Sequence, residues 1–202
     1  MDIVGSIVAL IILVIPMLAL SRWIKLDSEG PVLADTPMRV GKDGRLFRML
    51  KFRSMVPHAQ EILKNDPELY KKYKQNSYKL DINEDPRITK VGKFIRRTSL
   101  DELPQFLNIL RGDMSLVGPR AYYPFELEEQ QQKYPQSSDF VRIILSSKPG
   151  LTGEWQVSGR SLINFDKRVE MDAQYVQRQS LVYDIYIILR TIPAVLFARG
   201  AV

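Results

Sequence analysis

The run IVGSIVALIILVIPMLAL, Ile3 to Leu20, carries no charge over 18 residues, and nothing else in the chain limits its folding so strongly. As an α-helix it is about 27 Å long, close to the hydrocarbon thickness of a bilayer. Arg22 and Lys25 follow it, whereas only Asp2 and the amino terminus precede it. It lacks the basic leader and small-residue cleavage site of a secretory signal. The positive flank predicts that the bulk of the chain stays on the cytoplasmic side. Pro16 removes a backbone donor and crowds the carbonyl of Ile12, so a bend is expected there. Two topologies follow: a kinked spanning helix, or a helix that dips in and returns to the same face. Composition alone favours spanning, because membrane helices tolerate proline well. The expected organisation is a membrane-anchoring helix over 1–25, kinked at Pro16, and a cytosolic domain over 26–202.

The remaining length suffices for one domain with a core. There is no cysteine in the 202 residues, which excludes a disulfide framework and a thiolate zinc site. The single histidine, His58, excludes a multi-histidine metal cluster and reads as a surface or loop residue beside Pro57. Lys and Arg outnumber Asp and Glu by 29 to 23, with a pI near 9.5. That balance suits an anionic partner: nucleic acid, lipid headgroups or a phosphate-rich substrate.

Residues 27–60 read as extended and turn-rich, punctuated by Gly30-Pro31, Thr36-Pro37 and Asp43-Gly44. RLFRMLKFRSM alternates basic and apolar residues, as a strand with one cationic face does. AQEILKNDPELYKKYKQ reads as one or two helices broken near Asp66-Pro67, and DPRITKVGKFIRRTS as a turn leading into a short amphipathic stretch. In RRTSLDELPQF, Asp101 and Glu102 admit two placements. Ser99-x-x-Glu102 has the spacing of a capping box. Pro104 instead suits the first position of a helix running to about Leu110, which leaves both acids just before it. KPGLTGEWQVSGR reads as a glycine-rich loop bearing Lys148 and Arg160. Helix returns from Phe165 onward, and its later part presents Leu181, Ile185, Ile188, Leu189, Ile192 and Val195, either to a core or to a headgroup layer. Trp155 reads as core or membrane contact.

No P-loop, Asp-x-Asp or G-x-S-x-G sequence is present. What remains is an acidic pair, arginines in glycine-punctuated loops and an apolar anchor. An ionised aspartate can attack phosphorus to give an acyl phosphate. A dianionic diphosphate resists that attack unless Mg²⁺ or forked arginines neutralise its oxygens. Paired acids with arginines therefore suit phosphoryl transfer, and the anchor suits a lipid substrate.

KFRSM (51–55), DPRITKVGKFIRRTSLDELPQFLNILRGDMSLVGPR (85–120), KPGLTGEWQVSGR (148–160) and MDAQYV with YDIYIILRT (171–191) resemble the bacterial sugar transferases, the monotopic phosphoglycosyl transferases. The likeness covers nearly the whole chain. Within the family, the insert between KFRSM and DPRIT and the ARGAV ending resemble the catalytic part of undecaprenyl-phosphate galactose phosphotransferases. The resemblance implies an α+β fold: an N-terminal re-entrant (or spanning) membrane helix, then a small, mostly helical cytosolic catalytic domain with a short β element and membrane-surface helices. It reverses the compositional preference for spanning. It implies transfer of a sugar-1-phosphate from a UDP-sugar to a polyprenyl phosphate at the cytoplasmic face of a bacterial inner membrane, with release of UMP. Asp101 falls on the family's nucleophile and Glu102 on its acidic partner; the two would also bind the implied Mg²⁺. Lys51, Arg96 and Arg120 fall on phosphate-binding positions. Arg53, Arg160 and Asp172 match with substrate-binding or structural roles. Departures from the pattern are Ile15, Leu50, Ala121 and Glu154, where serine, tyrosine, proline and an apolar residue are usual.

Two other classes compete: a non-catalytic anchor that binds anionic lipid, and a membrane-tethered nucleic-acid binder. The Pro/Gly-broken loops match no nucleic-acid motif, so no nucleic-acid partner is expected. Membrane lipid is an expected partner in either remaining reading. No coiled-coil repeat is visible, which leaves homo-oligomerisation open.

Overall fold

A computed structural model describes residues 1–76, 80–159 and 163–196. Arg160 and the ARGAV ending lie outside these residues. The fold is α+β: ten α-helices, the first of them the apolar helix, and four three-residue strands among the described residues.

That helix, α1, runs Asp2–Asp27 with Pro16 inside it. Only Ser6, Leu20 and Ile24 along it are buried; Ile11, Ile12, Ile15 and Leu18 are about two-thirds exposed or more. Both its ends are tied to the rest of the chain. Asp2 Oδ1 accepts from the Ser115 hydroxyl at 3.0 Å and the Leu116 amide at 3.1 Å, and Asp27 Oδ2 accepts from the Val91 amide at 3.3 Å. The C-terminal carbonyls of α1 meet a guanidinium: Arg53 donates to Ser28 O at 2.7 Å and also to Glu29 O. A cation at a helix C-terminus satisfies orphan carbonyls and opposes the macrodipole. This gives Arg53 a structural role. It also departs from the cationic strand face expected of RLFRMLKFRSM.

That segment is a strand only at its start. β1 (Met38–Val40) pairs antiparallel with β2 (Leu46–Arg48), Arg39 opposite Phe47. Phe47 is buried and Arg48 exposed, as alternation requires. Beyond Met49 the chain is irregular, and Arg53 turns inward, 6% exposed.

AQEILKNDPELYKKYKQ forms two helices, α2 (Ala59–Asn65) and α3 (Pro67–Gln75), broken at Asp66, whose carboxylate caps the Leu69 amide at 3.0 Å. His58 begins α2 as an exposed residue beside Glu61. The DPR turn is fixed by a buried fork from Arg87 to both Asp85 oxygens at 2.8 and 2.7 Å. Thr89 then caps α4 (Lys90–Arg97) through the Gly92 amide. A Cβ on Gly92 would sit 2.0 Å from Ser54 O, so only glycine lets α4 press against the 52–55 segment.

KPGLTGEWQVSGR is not a loop. β3 (Ser115–Val117) and β4 (Gly150–Thr152) pair in parallel, and α8 (Glu154–Ser158) follows at once. The glycine content misleads here. A Cβ on Gly150 would meet the Gly118 amide nitrogen at 2.1 Å, so this glycine serves close backbone approach rather than flexibility. Glu154, the departure in this stretch, is satisfied by the Tyr183 hydroxyl at 2.8 Å.

α6 (Pro124–Lys133), α7 (Ser138–Leu145) and α9 (Phe165–Arg178) surround a core of Tyr122, Leu127, Val141, Ile144, Phe165 and Val169. A second core joins α1 to α4 through Leu20, Ile24, Phe52, Val91 and Ile95, with Leu100 and Leu103 packed on it. Each such side chain contributes about 1.5–3 kcal/mol on burial. The last helix, α10 (Leu181–Leu196), buries Ile187 and leaves Leu181, Val182, Ile185, Leu189 and Ile192 exposed. Much of the periodic stripe is therefore not core.

Candidate active site

The two acids lie on a 3-10 turn, Leu100–Glu102, between α4 and α5 (Gln105–Arg111). The capping-box arrangement is absent: Ser99 takes a left-handed conformation, φ 56°, and its side chain caps nothing. Pro104 precedes α5 as its N-cap, and left-handed Gly112 ends the helix. A non-glycine residue at positive φ is strained, and here it aims the next turn. Leu100 and Leu103 anchor that turn in the core shared with α1, with Asp101 and Glu102 between them.

Facing the turn is the 50–53 segment, held on every side. The buried Asn108 side chain accepts from the Leu50 amide at 2.8 Å and donates to Arg48 O at 2.9 Å. The Phe52 amide donates to Asp101 O at 2.8 Å, and Lys51 O accepts from the Ala34 amide at 2.9 Å. Lys51 is thereby held against the dyad, its Nζ 2.7 Å from Glu102 Oε1 and 3.9 Å from Asp101 Oδ2. The Arg96 Nε donates to the Ser54 hydroxyl at 2.9 Å, the contact made reachable by Gly92. Arg96 acts electrostatically on Asp101. It bonds Ser54, not Glu102, which pairs with Lys51.

Asp101 is 7% exposed. Burial pushes its carboxyl up to about 6, opposed by Lys51 and Arg96 and reinforced by Glu102. A carboxylate stripped of water beside cations remains ionised at neutral pH and is a stronger base than a solvated one.

Arg120 interacts electrostatically with Glu102. Its amide donates to Asp172 Oδ2 at 2.9 Å, and its guanidinium lies 5.3 Å from the Trp155 ring and 5.6 Å from that of Tyr122. Arg168 lies 4.7 Å from the same indole. Trp155 is thus core, and it also packs against an arginine of the site. Asp172 is fully buried, which pushes it up to about 7 against the Arg120 amide and the Arg168 guanidinium.

Lys51, Arg96, Asp101, Glu102 and Arg120, spread over 70 positions, therefore converge, with Asp172 behind Arg120. Arg53 belongs instead to α1. The sequence reading passed over residues 122–147, which supply Tyr122 and the buried Glu126 to the surroundings of Arg120; it also passed over Arg39 and Arg168. For Glu126 a signal existed: an acid two residues after Pro124 at a helix start.

Mg²⁺ typically takes one or two carboxylates and completes its shell with substrate phosphates and water. Asp101 and Glu102 fit that pattern. Among the described residues no cluster of three or more acidic or histidine side chains offers an all-protein cage.

The bacterial sugar transferase family model matches residues 1–198. The chain is 47% identical over 204 positions to the undecaprenyl-phosphate galactose phosphotransferase of Salmonella typhimurium, covering 99% of this chain and 40% of that protein. It is 46% identical to the galactosyl transferase CpsE of Streptococcus agalactiae, covering 100% of this chain and 42% of the relative. With the exopolysaccharide production protein ExoY of Sinorhizobium fredii the identity is 40%, over 99% of this chain and 85% of that one. The chain thus spans about two-fifths of the first two relatives and most of the third. With a family match that takes in the apolar helix, the dyad turn and the arginine-bearing segments alike, the chain belongs to the bacterial sugar transferases.

Proposed function

We propose that this chain transfers a sugar-1-phosphate from a UDP-sugar to a polyprenyl phosphate, releasing UMP, as the first membrane step in assembling a surface polysaccharide or glycoconjugate. The observation that carries the reading is the buried Asp101 carboxylate, faced by Lys51 and Arg96 on a turn packed into the core shared with α1. The names of the relatives, which specify undecaprenyl phosphate, UDP-galactose and exopolysaccharide production, support the substrate classes.

In the first half-reaction an Asp101 oxygen attacks the sugar-bearing phosphorus. A P–O bond forms to the carboxylate and the P–O bond to the bridging oxygen breaks; UMP departs with that oxygen and its electron pair. In the second, an oxygen of the lipid phosphate attacks the same phosphorus. The lipid diphosphosugar forms and the Asp101 carboxylate is restored. Lys51 and Arg96 lower the repulsion between carboxylate and phosphate, and Arg120 receives the charge that develops on the leaving phosphate. Burial keeps water from intercepting the acyl phosphate. Asp101 and Glu102 would hold Mg²⁺, which when bound neutralises pyrophosphate charge.

The two tied ends of α1 support a re-entrant membrane helix. A helix whose first and last turns both contact the same domain leaves its exposed middle, around Ile11 to Leu18, to dip into one leaflet. The apolar face of α10 suits the same boundary, and the cytoplasmic face of the inner membrane is where nucleotide sugars are met.

UMP release, measured across UDP-sugars with polyprenyl phosphate, tests the reaction. Wild type should release UMP and Asp101→Asn should not, while keeping its circular dichroism spectrum; release by the variant would remove Asp101 as nucleophile. Turnover should stop in excess chelator, and full activity there would remove the metal. For topology, the absence of native cysteine makes Ile3→Cys and Lys25→Cys clean probes. Both should label from the cytoplasmic side; labelling from opposite sides would establish a spanning helix.

A further inference from the structure

Arg120 is the cation of the site least committed to the protein. Among the described residues its guanidinium makes no hydrogen bond, and its Nε is buried without a partner. Something nevertheless fixes its direction. The backbone is held by Asp172, two rings pack against the guanidinium, and a carboxylate pairs with it: Glu126 Oε1, 3.9 Å from Nε. At that distance the contact is a charge pairing and not a hydrogen bond, so the donors of the guanidinium stay available.

Glu126 itself calls for an explanation. It is 3% exposed, in the first turn of α6. A buried carboxylate costs several kcal/mol unless it is paired. Its other polar contact is the Tyr123 amide at 3.4 Å, a long bond that an uncharged side chain would make as well. Helix capping alone therefore does not account for a buried acid. Its electrostatic neighbours do: Arg120, Arg39 and Arg168 all feel its charge. The three arginines are not treated alike. Burial lowers the pKa of Arg39 and of Arg168. For Arg120 burial acts in the same direction, but Glu126 and its neighbours outweigh it and the pKa is raised. Arg39 is otherwise occupied, donating to Ala121 O at 3.0 Å and lying 3.3 Å from the Tyr123 ring.

We infer that Glu126 is a positioning residue: its buried carboxylate holds the Arg120 guanidinium in place to receive the diphosphate of the donor nucleotide, without consuming the hydrogen-bond donors that do so. This rests on the transfer reaction proposed above. The carboxylate acts through Arg120 and touches no reacting atom.

The test is a double-mutant cycle between Glu126→Gln and Arg120→Ala, read in two ways: kcat and KM for UMP release, and equilibrium binding of UDP to the purified protein. Glu126→Gln keeps the shape and an acceptor for the Tyr123 amide. In the wild-type background it should lower kcat/KM and UDP affinity by about tenfold, and in the Arg120→Ala background it should weaken UDP binding by no more than about twofold, as coupled neighbours behave. Glu126→Asp should recover part of the loss. Equal losses in both backgrounds, or no loss in either, would overturn the assignment. If Glu126→Gln lowers the melting temperature enough to unfold the chain, the cycle is run with Glu126→Asp, whose shorter reach should produce a smaller loss that is again confined to the Arg120 background. If wild type releases no UMP from any UDP-sugar, the proposed reaction fails, and UDP binding still decides whether Glu126 acts through Arg120.

Discussion

The two sides of the site are built differently. The dyad side is a short turn whose acids meet a lysine directly: Lys51 lies 2.7 Å from Glu102, with Glu102 about one-third exposed. The Arg120 side is sealed: Asp172, Glu126 and Trp155 are all at or below 5% exposure, and charge there is balanced at a distance. Direct pairing at an accessible edge can be exchanged for pairing to substrate at small cost. A charge arrangement locked in low dielectric cannot rearrange, and so it can orient an incoming phosphate. Asp101 thus sits where partners are exchanged, and Arg120 where they are fixed.

Substitutions on each side should break this contrast in graded fashion. Asp101→Asn is the largest: a loss of about 10⁴-fold or more in kcat, the scale seen when a nucleophile is removed, checked by UMP release. Lys51→Ala comes next, at about 10²-fold in kcat/KM, comparable with removal of one preorganised donor. It should also move the ionisation that governs rate, because Lys51 holds Asp101 down against its burial. In wild type the rate should rise with pH through about 6 as Asp101 ionises; in Lys51→Ala that rise should lie at higher pH. A pH–rate profile that does not move would separate Lys51 from the nucleophile.

On the sealed side the expected signature is in stability. Burial raises Asp172 to about 7, so the folded chain keeps a proton that the unfolded chain releases. Stability should therefore fall as pH climbs from about 4 through about 7. Asp172→Asn, which retains an acceptor for the Arg120 amide, should abolish that part of the slope in melting curves across this range. Smallest of all, Arg48→Ala removes an exposed pair with Asp35 and should cost less than about 1 kcal/mol in a denaturant titration. A larger cost would show that the β1–β2 edge does more than connect.

Local rules accounted for much of the helical fold. Asp66 before Pro67 marked the break between α2 and α3, and Pro104 and Gly112 bracketed α5, because capping and φ restrictions act within a few residues. The same rules misread KPGLTGEWQVSGR, where Gly150 answers a backbone 32 positions away, and the alternating stretch around Arg53, which answers the end of α1. Of the site, the adjacent acids were visible as chemistry, and the resemblance picked out Lys51, Arg96 and Arg120. Glu126 and Arg168 were not visible, because an acid or arginine on an amphipathic helix looks the same whether it faces water or a buried guanidinium.

By itself the sequence determined an apolar N-terminal helix, an acidic pair with cations before and after it, and the absence of thiol and multi-histidine chemistry, since these depend on which side chains exist and on their near neighbours. Tertiary structure decided that Lys51 rather than Arg96 meets Glu102, that Arg53 ends the apolar helix, and that Glu126 and Asp172 surround Arg120. Those outcomes depend on burial and on distances between segments far apart in the chain, and electrostatic energies vary steeply with both.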